Sequence, residues 1–221
     1  MPLDFRLIEH LLDSPEQHSD KCVILLPGIS DHALDKPLYH LLADSLVKSG
    51  ISCLRFDAWH SSQDLKTISL FDIHNILSQA LVYLKSYGYA KIGCIGKSFG
   101  SAVFLTYSNP EIKSLVLWAP TIGFSYNSNL KEALKIPVSN FKSFSAIKIN
   151  SHDTKKIKCS VLIIQGKKDP LVSRQEAEAI YESLQKAKID FIDGADHDFS
   201  NEEHQKIVVK KTIEFFKKTL I

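Results

Sequence analysis

Ser98, Asp169 and His197 are the residues whose types and placement suggest covalent chemistry. Ser98 stands in Gly96-Lys97-Ser98-Phe99-Gly100, after the short apolar run Ile92 to Ile95 and before an apolar helical pattern. That order is a strand, a sharp turn and a helix, which exposes a serine hydroxyl at the turn. Glycines on both sides let the strand and helix backbones pass close together. A free hydroxyl is a poor nucleophile, so it needs a base within hydrogen-bond reach and a third group to orient that base. Asp169 follows the predicted strand Ser160 to Gln165, and His197 follows the short predicted strand Ile189 to Ile192. Both therefore fall beyond strand ends, where ligands bind in sheets of this type. Asp193 is an alternative acid, whereas Asp196 and Asp198 read as local loop residues beside His197.

Acyl transfer to a serine develops negative charge on an oxygen, which backbone N–H groups stabilise in the transition state. Two donors are predicted. One is the N–H of Phe99, at the start of the helix behind Ser98. The other is the N–H of Ile29, in the turn Pro27-Gly28-Ile29-Ser30 after the apolar strand Cys22 to Leu26. The same glycine-lysine-serine string imitates a phosphate-binding loop, but that motif needs a glycine where Lys91 stands, and the contracted loop would lack the same cradle. No metal-ligand spacing appears, and the predicted chemistry needs no cofactor.

The elements that must position these residues alternate. Strands are predicted at Cys22 to Leu26, Ile51 to Phe56, Ile92 to Ile95, Ser114 to Leu117, Ser160 to Gln165 and Ile189 to Ile192. Helices are predicted at Leu38 to Lys48, over Ile73 to Leu84, behind Ser98, at Gln175 to Leu184 and at Glu202 to Lys218. Continuous apolar strands between amphipathic helices imply an α/β fold with a mostly parallel central sheet flanked by helices on both faces. Leu3 to Leu12 suits an opening strand or a hairpin. Residues 121–158, rich in Ser, Asn and Lys, read either as a short cap over the site or as a long surface loop with one or two helical turns.

A chain of 221 residues, 44% apolar, suits one domain spanning 1–221. Its 27 basic and 25 acidic residues are dispersed, so neither a nucleic-acid stripe nor an acidic tail is expected. No secretory leader or long apolar span is evident, so the expected setting is cytoplasmic, without stable membrane insertion. Cys22, Cys53, Cys94 and Cys159 fall at or within predicted strands and read as reduced core residues. Oligomeric state is not specified.

From about Cys22 to Phe216 the chain resembles the α/β-hydrolases, and within them the small cinnamoyl/feruloyl-esterase-like and dienelactone-hydrolase-like esterases. The resemblance rests on the serine turn, on Leu54-Arg55-Phe56-Asp57 followed by His60 and Ser62, on Val116-Leu117-Trp118-Ala119-Pro120, and on Gly194-Ala195-Asp196-His197. It implies an α/β-hydrolase fold and a serine carboxylic-ester hydrolase acting through an acyl-enzyme on a small-molecule ester. Ser98 carries over as nucleophile, Asp169 as acid, His197 as base, and Ile29 and Phe99 as oxyanion donors. Thioesterase or aminopeptidase-like acyl hydrolysis is the neighbouring alternative, and a non-catalytic binding protein on the same fold is the alternative from another class. Pro27, Lys97 and Ser101 depart from the family pattern, and Lys97 is expected at the rim, either solvated or drawing anionic acyl groups. Trp59, Phe99, Trp118 and Phe124 are candidates for pocket walls or core.

Overall fold

The computed structural model describes residues 4–59, 68–121 and 151–221. Seven strands form one sheet: β1 (His10–Asp13), β2 (Lys21–Leu26), β3 (Ser52–Phe56), β4 (Lys91–Lys97), β5 (Ile112–Trp118), β6 (Ser160–Gly166) and β7 (Ala187–Ile192). Their spatial order is β1-β3-β2-β4-β5-β6-β7. All neighbours pair in parallel except β1, which runs antiparallel to β3. The predicted opening strand is therefore an edge strand, preceded by a single 3₁₀ turn at Phe5–Leu7. Its short, half-buried pattern leaves it little helical or strand signature in sequence.

Residues alternate between two cores along each buried strand, as the two-residue period of a strand requires. Cys22, Ile24 and Leu26 of β2 join Ile92 and Cys94 of β4 on one face, together with Ile76, Leu77 and Ala80 of α2 (Leu70–Ser86) and Val103 and Phe104 of α3 (Phe99–Thr106). Val23, Leu25 and Ile95 face the other way. They meet Leu42 and Leu46 of α1 (Pro37–Val47) and Val208 and Phe216 of the last helix (Glu202–Thr219). This is the predicted parallel sheet with helices on both faces. Between them in sequence come α4 (Ser151–Lys155) and α5 (Arg174–Ser183), which makes the last helix α6.

Of the predicted insertion 121–158, only Thr121 and residues 151–158 are described; α4 supplies one helical turn there. Phe124, Tyr126, Phe141 and Phe144, and His60 and Ser62 of the other quoted segment, lie outside the described residues. Among the described residues, no helix is long and apolar enough to cross a membrane. The four cysteines are free, three of them buried and Cys159 partly so.

Candidate active site

Parallel pairing brings the carboxyl ends of the central strands to one edge. Leu26 of β2 pairs with Gly96 of β4, Lys97 with Trp118 of β5, Trp118 with Ile164 of β6, and Gly166 with Ile192 of β7. Ile29, Ser98, Asp169 and His197 all follow these ends by a few residues.

Ser98 adopts φ +51°, a conformation that non-glycine residues rarely take. Its N–H donates to Trp118 O at 2.9 Å, which ties the strained turn to β5. The glycines have steric reasons: a Cβ on Gly96 would come within 2.5 Å of Gly100 O, and one on Gly100 within 2.5 Å of Leu26 O. Ser69, Ser173 and Asn201 each turn a side-chain oxygen back onto the amides of the helix they start. Ser98 does not, although it begins α3. Its partly exposed hydroxyl is left for another use. Phe99 opens α3, so its N–H lies at the positive end of that helix.

Asp169 is fully buried and holds His197. Its Oδ2 lies 2.8 Å from His197 Nδ1 and accepts a second hydrogen bond from Gln165 Nε2 at 3.0 Å. Its Oδ1 accepts the N–H groups of Leu171 and Val172 at 2.8 and 2.9 Å. Burial pushes the carboxyl up, but the His197 contact and the two loop amides outweigh it and hold Asp169 below its ordinary value. An ionised Asp169 accepting from Nδ1–H leaves Nε2 as the basic nitrogen of His197. Among the described residues, His197 bonds to Asp169 and no hydrogen bond joins it to Ser98. Such contacts are often long without substrate and tighten in the complex. Asp193 pairs instead with Lys167 and is exposed, while Asp196 accepts Ser200 N–H within its own loop.

The turn carrying Ile29 is braced from below. Gly28 O accepts the Asp31 N–H and, at 3.4 Å, the indole N–H of buried Trp59. Trp59 in turn packs edge-on against Phe99, with centroids 4.8 Å apart. Arg55 and Asp57, from the quoted Leu54 to Asp57 segment, clamp Ala33 in the same loop. Arg55 donates to Ala33 O at 3.2 Å, and Asp57 accepts from Ala33 N at 2.7 Å. Trp118 is core: it packs between Tyr39 and Phe199 and donates to Thr212.

Lys97 corrects the expectation of a solvated or rim-facing ammonium. It is 2% exposed, with its Nζ 2.9 Å from Asp31 Oδ2 and 2.5 Å from Asp198 Oδ1. As the last residue of β4, after the buried run Ile92 to Gly96, it points inward, and two carboxylates meet it there. Lys36 bridges the same two aspartates, and Tyr39 donates its hydroxyl to Asp31 Oδ2 at 2.8 Å. Burial pulls the Lys97 ammonium down, but Asp31 and Asp198 outweigh it and hold its pKa above the ordinary value. For Asp31, burial favours the neutral acid, yet Lys97 and Lys36 keep it well below the usual carboxylate range. Sequence reasoning missed Gln165 and the Lys97 cluster. Their signal was a polar residue at the carboxyl end of a strand buried throughout.

The described residues contain no group of three or more His, Cys, Asp or Glu able to hold a metal ion. In chemical terms, the edge offers a strained serine, an imidazole oriented by an ionised carboxylate, and amides beside the serine.

Residues 140–219 match the family model of the alpha/beta hydrolase domain. No curated protein is significantly similar in sequence. Solved structures are similar in fold. Est1E from Butyrivibrio proteoclasticus, with ferulic acid bound, is 18% identical with a TM-score of 0.75, the match covering 96% of this chain and 95% of that one. A dienelactone hydrolase from Anabaena variabilis is 19% identical with a TM-score of 0.73, covering 96% and 92%. An esterase from Pyrococcus furiosus is 22% identical with a TM-score of 0.71, covering 100% and 95%.

Proposed function

The chain has the α/β-hydrolase fold, and from the residues at its sheet edge we propose that it is a serine hydrolase cleaving carboxylic esters through an acyl-enzyme. Ser98 Oγ attacks the ester carbonyl carbon while His197 Nε2 takes the hydroxyl proton. Asp169 holds the imidazole tautomer and stabilises the imidazolium that forms. The carbonyl oxygen becomes an oxyanion facing the N–H groups of Ile29 and Phe99. Collapse of the tetrahedral intermediate breaks the ester C–O bond, and His197 returns its proton to the departing alcohol. Water then attacks the acyl-enzyme with His197 again as base, releasing the acid and restoring Ser98.

The observation that carries this reading is the 2.8 Å bond between buried Asp169 and His197, at the edge where Ser98 sits at positive φ without capping its own helix. Neighbouring folds named as esterases add support for the ester class. The reading extends to a single 1–221 domain with 121–158 as a small cap or a long loop inserted within it, working in the cytoplasm on a small ester without a cofactor.

A fluorophosphonate probe tests it. Incubation should phosphonylate Ser98, located by peptide mass spectrometry, and the adduct should vanish in His197→Ala. Ester hydrolysis should fall by more than about 10³-fold in Ser98→Ala. A folded protein that neither labels at Ser98 nor hydrolyses any ester, thioester or anilide of one acyl group would replace this reading with a binding role.

A further inference from the structure

One buried cation touches the neighbourhood of each part of the proposed machinery. Lys97 directly precedes Ser98. Asp198, 2.5 Å from its Nζ, directly follows His197. Asp31, 2.9 Å from the same atom, lies two residues beyond Ile29. Gly28, at the heart of the Ile29 turn, packs on the cluster itself: a Cβ there would stand 3.0 Å from Asp31 Oδ2 and 3.5 Å from Lys97 Nζ. The far side is closed by Tyr39, which bonds Asp31, and by Phe199, a buried residue at φ +50° that follows Asp198 and packs on Trp118. The three backbone segments come from β2, β4 and β7, so no shared element fixes their relative positions beyond the sheet.

Lys97 and Asp31 form a buried ion pair that the half-exposed Asp198 completes, and burying such a pair generally adds little net stability over a well-packed hydrocarbon core, because desolvation offsets the attraction. What it does supply is direction: three charged side chains satisfy one another only at one arrangement of their backbones. We propose, on the reading of Ser98, His197 and Ile29 given above, that Lys97 is a positioning residue that fixes the histidine loop and the oxyanion turn against the nucleophile through Asp198 and Asp31. It touches no reacting atom. Its effect is on the distance from His197 to Ser98 and on the aim of the Ile29 N–H, so it acts on turnover more than on substrate affinity.

The test uses Lys97→Met/Asp31→Asn/Asp198→Asn, which removes the buried cation together with both carboxylates and leaves Lys36, whose side chain reaches solvent, as the one charge remaining in the cluster. Lys85→Met, at an exposed pair with Glu111, is the control. The triple variant should melt within a few degrees of wild type. Its kcat for a simple aryl ester should fall by about 10- to 100-fold, as expected for a small misplacement of reacting groups, with KM changed less than about twofold. Hydrogen exchange of amides 28–31 and 195–200 should accelerate by about tenfold while β4 and β5 stay protected. A folded triple variant with wild-type kcat and wild-type exchange in both loops would overturn the proposal. Failure of that variant to fold would also overturn it, by making the cluster a structural ion triad. If wild-type protein hydrolyses nothing, the serine reading fails, and loop exchange still decides whether Lys97 couples the two segments.

Discussion

Asp169 and Asp31 are both buried carboxylates held ionised at the same sheet edge, yet they face different partners. Asp169 meets an imidazole, whose two nitrogens can hold or pass on a proton, and every other donor to it is an uncharged N–H. Asp31 meets two ammonium groups and a phenol. On the proposed reading, one carboxylate serves a proton in motion, and the other keeps its surroundings still. Adjacent buried acids can thus be told apart by whether their partner can change charge.

Substitution should separate the two most sharply in activity. Asp169→Asn should reduce kcat by on the order of 10⁴-fold, since an amide in that place favours the wrong histidine tautomer. The melting temperature should move little by comparison, and steady-state kinetics beside calorimetry would show the split. Asp31→Ala should do the reverse in emphasis, destabilising by about 3 kcal/mol in urea unfolding because Lys97 loses the more buried of its two carboxylate partners. An Asp31→Ala protein as stable as wild type would erase the contrast.

The acid limb of stability sharpens the comparison further. Asp169, Asp31 and Asp198 all have native pKa values below the ordinary 3.8. The native state therefore stays deprotonated while the unfolded chain takes up protons. Their contributions are present above pH 3.8 and are lost as pH falls through the lower native values. The melting temperature should drop steeply below about pH 4, and Asp31→Asn should flatten that limb more than Asp169→Asn, as its pKa is the more strongly depressed. Lys97 contributes with the opposite sign. Its raised pKa gives stability that is full below 10.5 and lost only at higher pH. The smallest expected effect is at Gln165: Gln165→Leu removes one hydrogen bond to Asp169 and should lower kcat about fivefold, the kinetic equivalent of about 1 kcal/mol.

The sheet and the Ser98, Asp169 and His197 edge were legible because both follow from short-range pattern. Apolar runs between helical periods define the strands, and each candidate residue stands just after one. Asp169 could be preferred over Asp193 on position alone, and the structure puts Asp193 on Lys167. The Lys97 cluster was not legible. Its partners are 66 and 101 residues away, and within Gly-x-Ser-x-Gly a lysine looks like an ordinary polar turn residue. Only the pairing of β2 with β4, and the return of the chain after β7, bring the three together. Gln165 was obscured for a related reason, because its partner Asp169 curls back only once the loop has folded. The edge strand β1 has too few apolar residues to declare its direction.

The buried thiols make this protein its own gauge of opening. Burial raises the Cys22 thiol to about 12 and also pushes Cys53 and Cys94 well up, so at pH 8 only on the order of one native Cys22 in ten thousand is a thiolate. Burial raises the Cys159 thiol as well, but Cys159 differs from the other three in being partly exposed. An alkylating reagent should therefore modify Cys159 promptly and the other three only when the two faces of the sheet come apart, so that the lag between the two phases clocks the excursions of the native state.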